Sequence, residues 1–505
     1  MRGTNAPALF VRVRGRTKLR RLSSNQQFPE MRPARRHVLG AAAMIATAGL
    51  VRAIPALGWG GTSAAQNPND TLRIGVVGTG ARGQDHLFAL GYSVANPVYA
   101  HRKGASSELI PGAAVVAVCD VFDDNLDQAV AAVAARGSAP GRYTDYRKML
   151  DEARLDAVVI ATPDHMHAPI ALAAIEADCD VYVEKCMTNR AEEIEPLRAA
   201  LAEHGRILQV GYQLHQDRLH QIAKDMIAHG ELGDVHSVQT YLQRNNPSGA
   251  WKHPFAKRGA QLRSRIHWPE FLAHAPQREF DASRFFEWRL YWDYSTGLSG
   301  DVFSHTISAA QFLLDLPLPD SAVASGGIYH WRDGRETPDQ FTAALEYPSR
   351  RVQVNFLSTL SNSFARQSSI VICGTRATME LSWKLQVWAE QGSDLFERLS
   401  KEKRRPGEQP YIELVDRAAG LITQGSASSR WLEGRGATET TLADGKVRDT
   451  TRLHHEEWVR CMRSRQQPSA SFEHSLGSTI GAHLATQSYL QGRRTHWDPE
   501  EFAIG

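Results

Sequence analysis

Several features that would tie a chain to a specialised setting are scarce or missing. Only five cysteines occur in 505 residues, at 119, 179, 186, 373 and 461, odd in number, irregularly spaced and without a C-x-x-C pair. A disulfide framework or a zinc cluster is therefore not expected, and no metal site is assigned. Neither sign of charge dominates: 58 Lys and Arg stand against 55 Asp and Glu, a net charge of +3. Much of the basic surplus lies near the N-terminus, so the rest is close to neutral, which argues against a nucleic-acid surface. No apolar run reaches the roughly 20 residues needed to span a bilayer, and the best candidate, Val38–Val51, is Ala- and Gly-rich and only about 14 long. No stable membrane insertion is expected. Internal repeats are also lacking. What remains is an ordinary globular composition, 42% apolar and 22% charged, long enough for two or three domains.

The N-terminus resembles an export signal. Arg35-Arg36 leads directly into the Val38–Val51 stretch, and Thr62-Ser63-Ala64-Ala65 offers small residues for cleavage. Residues 1–65 are read as a basic leader with a twin-arginine signal, and Met1 and Met31 both stand as candidate starts. The expected location is periplasmic, or otherwise outside the cytoplasm by the twin-arginine route. That route carries folded proteins, which suits one that takes up a cofactor first.

The body of the chain is organised around residues 71–83, Thr-Leu-Arg-Ile-Gly-Val-Val-Gly-Thr-Gly-Ala-Arg-Gly. An apolar run of strand length ends in Gly78-x-Gly80-x-x-Gly83, and a helical pattern follows. The first glycine permits a tight turn, the second lets a pyrophosphate approach the backbone, and the third lets helix and strand pack closely. Ala113–Asp120 is a second buried strand ending in an acid, where such a unit places the carboxylate for the adenosine ribose. No Arg or Lys follows Asp120 directly, so NAD is favoured over NADP; the competing reading is a helix cap. Strands and helices then alternate through Arg206–Gly211, which predicts a doubly wound parallel sheet with ligands at the carboxyl ends of its strands. Asp120, Thr162-Pro163-Asp164-His165 and Glu184-Lys185 stand at those ends and converge on one crevice.

From residue 213 the pattern changes to a long aromatic segment (245–296), a helix near 300–314 and six strands with short turns, predicting a mostly antiparallel open sheet. Residues 395–450 read as a polar loop and the chain closes with two helical stretches. The fold class is thus α/β plus α+β. The expected domains are 70–212 for the dinucleotide-binding Rossmann unit, 213–452 for a substrate-binding α+β unit and 453–505 for the final helices.

Three features together resemble the Gfo/Idh/MocA oxidoreductases, which include glucose–fructose oxidoreductase and inositol dehydrogenase: the glycine fingerprint, Thr162-Pro163-x-x-x-His167 followed by Glu184-Lys185, and Asp301-x-x-x-His305. The resemblance implies cofactor contacts from Ala81, Arg82, Thr162, Pro163, His167, Glu184, Lys185 and Gln213, besides Gly78, Gly80, Gly83 and Asp120. It also implies a homo-oligomer built through the open sheet face, final helices packed on the Rossmann unit, and catalytic roles for Lys185, Asp301 and His305. The chemistry of alcohol oxidation asks for the same groups. Asp301 and His305, four apart, share a face if the segment is helical. His305 near a helix N-terminus is kept neutral as a base, and Lys185 can stabilise a developing alkoxide. Singly, these residues read equally as a cap, a core histidine and a phosphate contact.

Cys186 departs from the family's proline, and a trans bond before it is expected, because a non-proline cis bond costs about 2.5–4 kcal/mol. Of the aromatic residues Trp251, Trp288, Tyr291, Trp292 and Tyr294, some suit the apolar face of a sugar ring, and Trp292, Asp293 and Tyr294 are the expected substrate contacts. His165 and His167 are read as non-metal residues beside the crevice, and His454-His455-Glu456-Glu457 as a solvated helix face. The expected function is NAD(P)-dependent hydride transfer on a sugar, glycoside or polyol hydroxyl. A glycosidase using a retained NAD is the alternative, and a non-catalytic sugar-binding protein with a structural dinucleotide the third reading.

Overall fold

In a computed structural model the described residues are 10–11, 71–93, 108–137, 139–245, 249–362, 369–382, 384–415, 439–441 and 447–505. The expected twin-arginine segment and the expected cleavage site lie outside them. The first half is a six-stranded parallel sheet. Its strands are β1 (Leu72–Val77), β2 (Ala113–Cys119), β3 (Gly141–Tyr143), β4 (Ala157–Ile160), β5 (Asp180–Val183) and β6 (Leu208–Val210), in the order β3-β2-β1-β4-β5-β6. β4 and β5 are buried at every position, as strands covered on both faces must be, which is why they read as continuous apolar runs. Helices α1 (Ala81–Ala89), α2 (Asp123–Ala134), α3 (Tyr146–Glu152), α4 (His167–Glu176) and α5 (Ile194–His204) make the crossovers. The order reverses between β1 and β4, and that switch point opens the crevice.

After α6 (Arg218–Ala228) the chain builds a second sheet from β7 (Val235–Gln243), β8 (Ser321–Gly327), β9 (Gln340–Tyr347), β10 (Val352–Thr359), β11 (Ser369–Gly374), β12 (Ala377–Leu381), β13 (Lys384–Ala389) and β14 (Ile412–Val415), with short edge strands bringing it to eleven. All its pairs are antiparallel except β7 with β10. Burial alternates along β9 and β10, the mark of one covered and one open face. Helices α7 (Ser304–Leu314) and α10 (Phe472–Gln491) cover one face; Val323 and Leu357 are exposed.

Three expectations are corrected. The supposed loop from 395 begins with a helix, Asp394–Lys401, capped by the Ser393 side chain and burying Leu395 and Leu399; its short apolar stripe was masked by charge. The final helices do not both pack chiefly on the Rossmann unit, although α10 touches it through His483, 2.7 Å from Thr188 Oγ1. α9 (Thr450–Ser464) does, sending Trp458, Val459 and Met462 into the core formed by Leu72, Ile74 and Leu87. α10 lies against β8 and α7, because its small and apolar residues fit that sheet face. Finally, His454 and His455 are fully buried rather than solvated, because they face the Rossmann sheet across α9.

Candidate active site

One cavity of about 780 Å³ runs from the glycine turn to the start of α7. At its nucleotide end Gly78 has φ +81, a left-handed conformation that favours glycine. A Cβ on Gly83 would lie 1.9 Å from the Gly78 carbonyl oxygen, so helix and turn touch backbone to backbone. Gly80 is different. A Cβ there meets nothing nearer than Asn125 Nδ2 at 3.5 Å, leaving its backbone open to close approach from the cavity. Asp120 ties this turn to the end of β2. Its Oδ2 accepts from Thr79 N at 2.6 Å and its Oδ1 from Phe122 N at 2.8 Å. Burial pushes the Asp120 carboxyl up, and these N–H bonds oppose that rise. Asp120 does not cap α2, whose N-cap position is Phe122. An open glycine, an α1 start with no capping side chain and a carboxylate on the wall fit a dinucleotide.

At the other end the sequence-predicted set comes together, with altered geometry. The expected helix start is a π-helical turn, Ser299–Phe303, and α7 begins only at Ser304. The four-residue spacing of Asp301 and His305 is therefore not that of an α-helix. Two contacts accompany the change: a Cβ on Gly300 would lie 1.9 Å from Thr296 Oγ1, and Ser304 Oγ donates to the Gly300 carbonyl at 2.6 Å. Lys185 Nζ donates to both Asp301 O (2.8 Å) and Asp301 Oδ1 (2.9 Å). Arg289 Nε donates to the same Oδ1 at 3.1 Å. Burial alone would raise the Asp301 pKa, but these two cations hold it well below the usual carboxylate range. His305 lines the same cavity, its ring set edge-on to Tyr212, and its nitrogens have no hydrogen-bond partner among the described residues. Burial, reinforced by the Lys185 charge, lowers its pKa to about 3 and keeps the imidazole neutral. The Lys185–Cys186 peptide is cis, correcting the expected trans bond. Cys186 is fully buried and its carbonyl lies 2.7 Å from His167 Nδ1, which holds this turn in place.

Between the two ends lies a buried polar chain that the sequence did not reveal. Glu184 Oε1 accepts from Arg82 Nε at 2.8 Å and from Gln213 Nε2 at 3.1 Å, and lies 3.1 Å from His86 Nε2. Burial would raise the Glu184 pKa, but Arg82 and His86 keep it well below the carboxylate range. His86 Nδ1 is in turn 2.8 Å from His455 Nε2. Gln213 also donates to the Tyr182 hydroxyl, which meets His454 Nδ1 at 3.0 Å. Two consecutive residues of α9 thus connect, through His86 and Tyr182, to Glu184 and Gln213 on the cavity wall. Arg82 belongs to this chain as well as to the wall.

Thr162 and Pro163 line the cavity, and His167 Nε2 lies 2.9 Å from the Thr162 carbonyl. His165 also lines the cavity, its Nε2 2.8 Å from the Phe271 carbonyl. The expected substrate contacts Trp292, Asp293 and Tyr294 are not among the cavity's walls. Trp292 donates to the Glu336 carbonyl, Asp293 pairs with Arg278 and Arg284, and Tyr294 is buried against Phe271. That turn stitches the domain together. Trp251, Trp288 and Arg289 line the cavity instead. The aromatic density of 245–296 signalled the region; nothing in the sequence distinguished these members from their neighbours.

Comparison with known proteins agrees with this architecture. Residues 72–212 match the family described as "Oxidoreductase family, NAD-binding Rossmann fold", and residues 273–496 match its C-terminal alpha/beta domain. Inositol 2-dehydrogenase 1 of Saccharopolyspora erythraea is 36% identical over 172 residues, 33% of this chain and 45% of that protein. The uncharacterized oxidoreductase YdgJ of Escherichia coli is 25% identical over 297 residues, 59% of this chain and 68% of that one. The chain thus spans under half the length of the inositol dehydrogenases it matches. Among solved structures, the WlbA dehydrogenase of Bordetella pertussis, in complex with NADH and UDP-GlcNAcA, superposes with TM-score 0.54 at 19% identity, covering 84% of this chain and 98% of that one. The scyllo-inositol dehydrogenase of Lactobacillus casei, with NAD(H) and scyllo-inositol, gives 0.53 at 15%, covering 85% and 99%. At these identities the likeness is one of fold. The two family matches together span more than half of the chain, and this chain belongs to the Gfo/Idh/MocA oxidoreductase family.

Proposed function

We propose that the protein is an NAD-dependent oxidoreductase acting on a hydroxyl of a sugar, glycoside or polyol. The observation that carries this reading is the meeting of Lys185, Asp301 and His305 in a cavity continuous with the glycine turn. Gly78, Gly80, Asp120, Thr162 and Gln213 would hold the dinucleotide, which supplies a hydride acceptor or donor when bound. His305, neutral and unpartnered, takes the hydroxyl proton. Lys185 offers its ammonium to the oxygen as charge develops there, and Asp301 aims that ammonium through two contacts. Export by the twin-arginine route, with NAD loaded before transport, is part of the proposal, as is association through the open face bearing Val323 and Leu357.

A second reading, a glycosidase with a retained NAD, is favoured by one feature. Residues 265–271 cross from the second domain to the nucleotide side. His267 N donates to Val121 O at 2.8 Å, Ile266 bridges to Phe122, and Arg265 pairs with Asp124 and Asp127. Such a strap suits a cofactor that stays bound.

The test is the purified protein with NAD and a panel of polyols, sugars and aryl glycosides, followed by NADH absorbance and by aglycone release. Equimolar NADH and ketone support the dehydrogenase. Aglycone release without net reduction supports the second reading. If neither appears, and the denatured protein releases no NAD, the proposal fails.

A further inference from the structure

At the reacting end of the cavity one basic side chain keeps donors in reserve. Lys185 and Arg289 both bond to Asp301, so two cations share one carboxylate. The nearby Lys252–Glu287 pair, at 2.6 Å, cancels itself. Arg82 serves two carboxylates, Glu184 at 2.8 Å and Asp85 at 3.4 Å, and His305 carries no charge. Arg289 therefore does not have a carboxylate to itself.

Arg289 has unused donors on the cavity wall. Only its Nε reaches Asp301; its terminal NH₂ groups have no partner among the described residues. The guanidinium lies 4.1 Å over the Trp288 ring, which fixes its orientation. Its side chain keeps 23% exposure on the cavity wall. A fixed fork of N–H donors in a partly desolvated cleft matches a planar or tetrahedral oxyanion, to which it donates in parallel. Arg289 shares Asp301 with Lys185, so a substrate that brings its own negative charge to the free donors gains where a neutral one does not.

Resting on the oxidoreductase reading, we propose that the substrate is an anionic polyol, a sugar acid or sugar phosphate, whose carboxylate or phosphate is held by Arg289. Lys185 Nζ and Arg289 Nε lie on one carboxylate oxygen, at 2.9 and 3.1 Å. The anion and the oxidised hydroxyl therefore belong to neighbouring parts of one small molecule.

The experiment uses the NAD-loaded protein and matched probes: glucuronate, gluconate, glucose 6-phosphate, glucose and glucitol. Binding is measured by calorimetry and turnover by NADH absorbance. The anionic members should bind about tenfold or more tightly than the neutral ones, the scale of a charge-assisted hydrogen bond. The acid and phosphate arms identify which oxyanion is preferred. Arg289→Gln should collapse the anionic-over-neutral ratio of kcat/KM about tenfold, mainly through KM, and Arg289→Lys should restore part of it. Equal binding of anionic and neutral probes overturns the proposal while leaving the oxidoreductase reading intact, provided the neutral probes turn over. Tight anion binding without any NADH formation supports the anion site and overturns the reaction. An Arg289→Gln variant that lowers kcat on both classes alike, with the ratio unchanged, makes Arg289 a positioning residue for Asp301 and overturns the assignment.

Discussion

Asparagine at position 301 removes a negative charge from the point where two cations meet. Lys185 Nζ and Arg289 Nε lie 2.9 and 3.1 Å from Oδ1, and the carboxylate side chain is only 7% exposed. The substitution keeps the volume, so packing is retained and the loss is electrostatic. Removing one partner of a buried ion pair costs about 3–5 kcal/mol. Lys185 and Arg289 retain 11% and 23% exposure to the cavity, which points to the lower end, about 3 kcal/mol. For a large domain that is a fall in Tm of about 6–12 °C. The pH dependence has a definite sign. The folded-state pKa of Asp301 is depressed below the unfolded value of about 3.9. Its stabilisation is complete above that value and is lost as pH falls toward the folded pKa. The gap between wild type and Asp301→Asn should therefore be full at neutral pH and narrow below about pH 4. Calorimetric unfolding across that range measures it, and a double-mutant cycle with Arg289→Met isolates the pair. A neutral-pH Tm within about 2 °C of wild type, or a gap that does not change with acid, would falsify the reasoning.

The remaining predictions follow from other parts of the cavity. Gly80→Ala should fold with near-native stability but lose NAD affinity, because its Cβ meets only Asn125 at 3.5 Å yet projects where the dinucleotide approaches; Gly83→Ala, 1.9 Å from a backbone oxygen, should be destabilised outright, and urea unfolding with NAD titration separates the two. His305→Ala should lower turnover by about 10²–10⁴ with NAD binding retained; full activity in stopped-flow assays excludes it as the base. With its pKa lowered to about 3, His305 is unprotonated at and above neutral pH, so kcat/KM should show no His305 ionisation near the ordinary value of 6.5. His455→Phe should cost about 1–3 kcal/mol by stranding His86 Nδ1 and should weaken NAD binding through Glu184, read by chemical denaturation and calorimetry.

The sheets were legible because each strand type leaves its own pattern: unbroken apolar runs such as Ala157–Ile160 for the parallel sheet, alternation in Gln340–Tyr347 for the half-covered one. Lys185, Asp301 and His305 were legible because family motifs fix them at element ends. Three things were not. The π-turn at Ser299–Phe303 accompanies a contact between Gly300 and Thr296 that no periodicity encodes. Arg289 reads in sequence like any surface arginine among aromatics; only its place beside Asp301 gives it a role. His454 and His455 sit in a run of polar residues, and their partners Tyr182 and His86 lie 272 and 369 positions away. Burial set by such distant partners is invisible to a local window.

That separation bears on how the protein comes into being. The hydrophobic surface of the nucleotide-binding half, around Leu72, Leu87 and Tyr182, is closed by Trp458 and its neighbours on α9. At ~5–20 residues per second on the ribosome, the nascent first half waits some tens of seconds for the helix that completes it. Its strands are made early and its core is sealed late. A fragment ending at the family's apparent domain border near residue 212 would leave that surface bare and prone to aggregate. This half is thus complete only once residues 450–464 have been made.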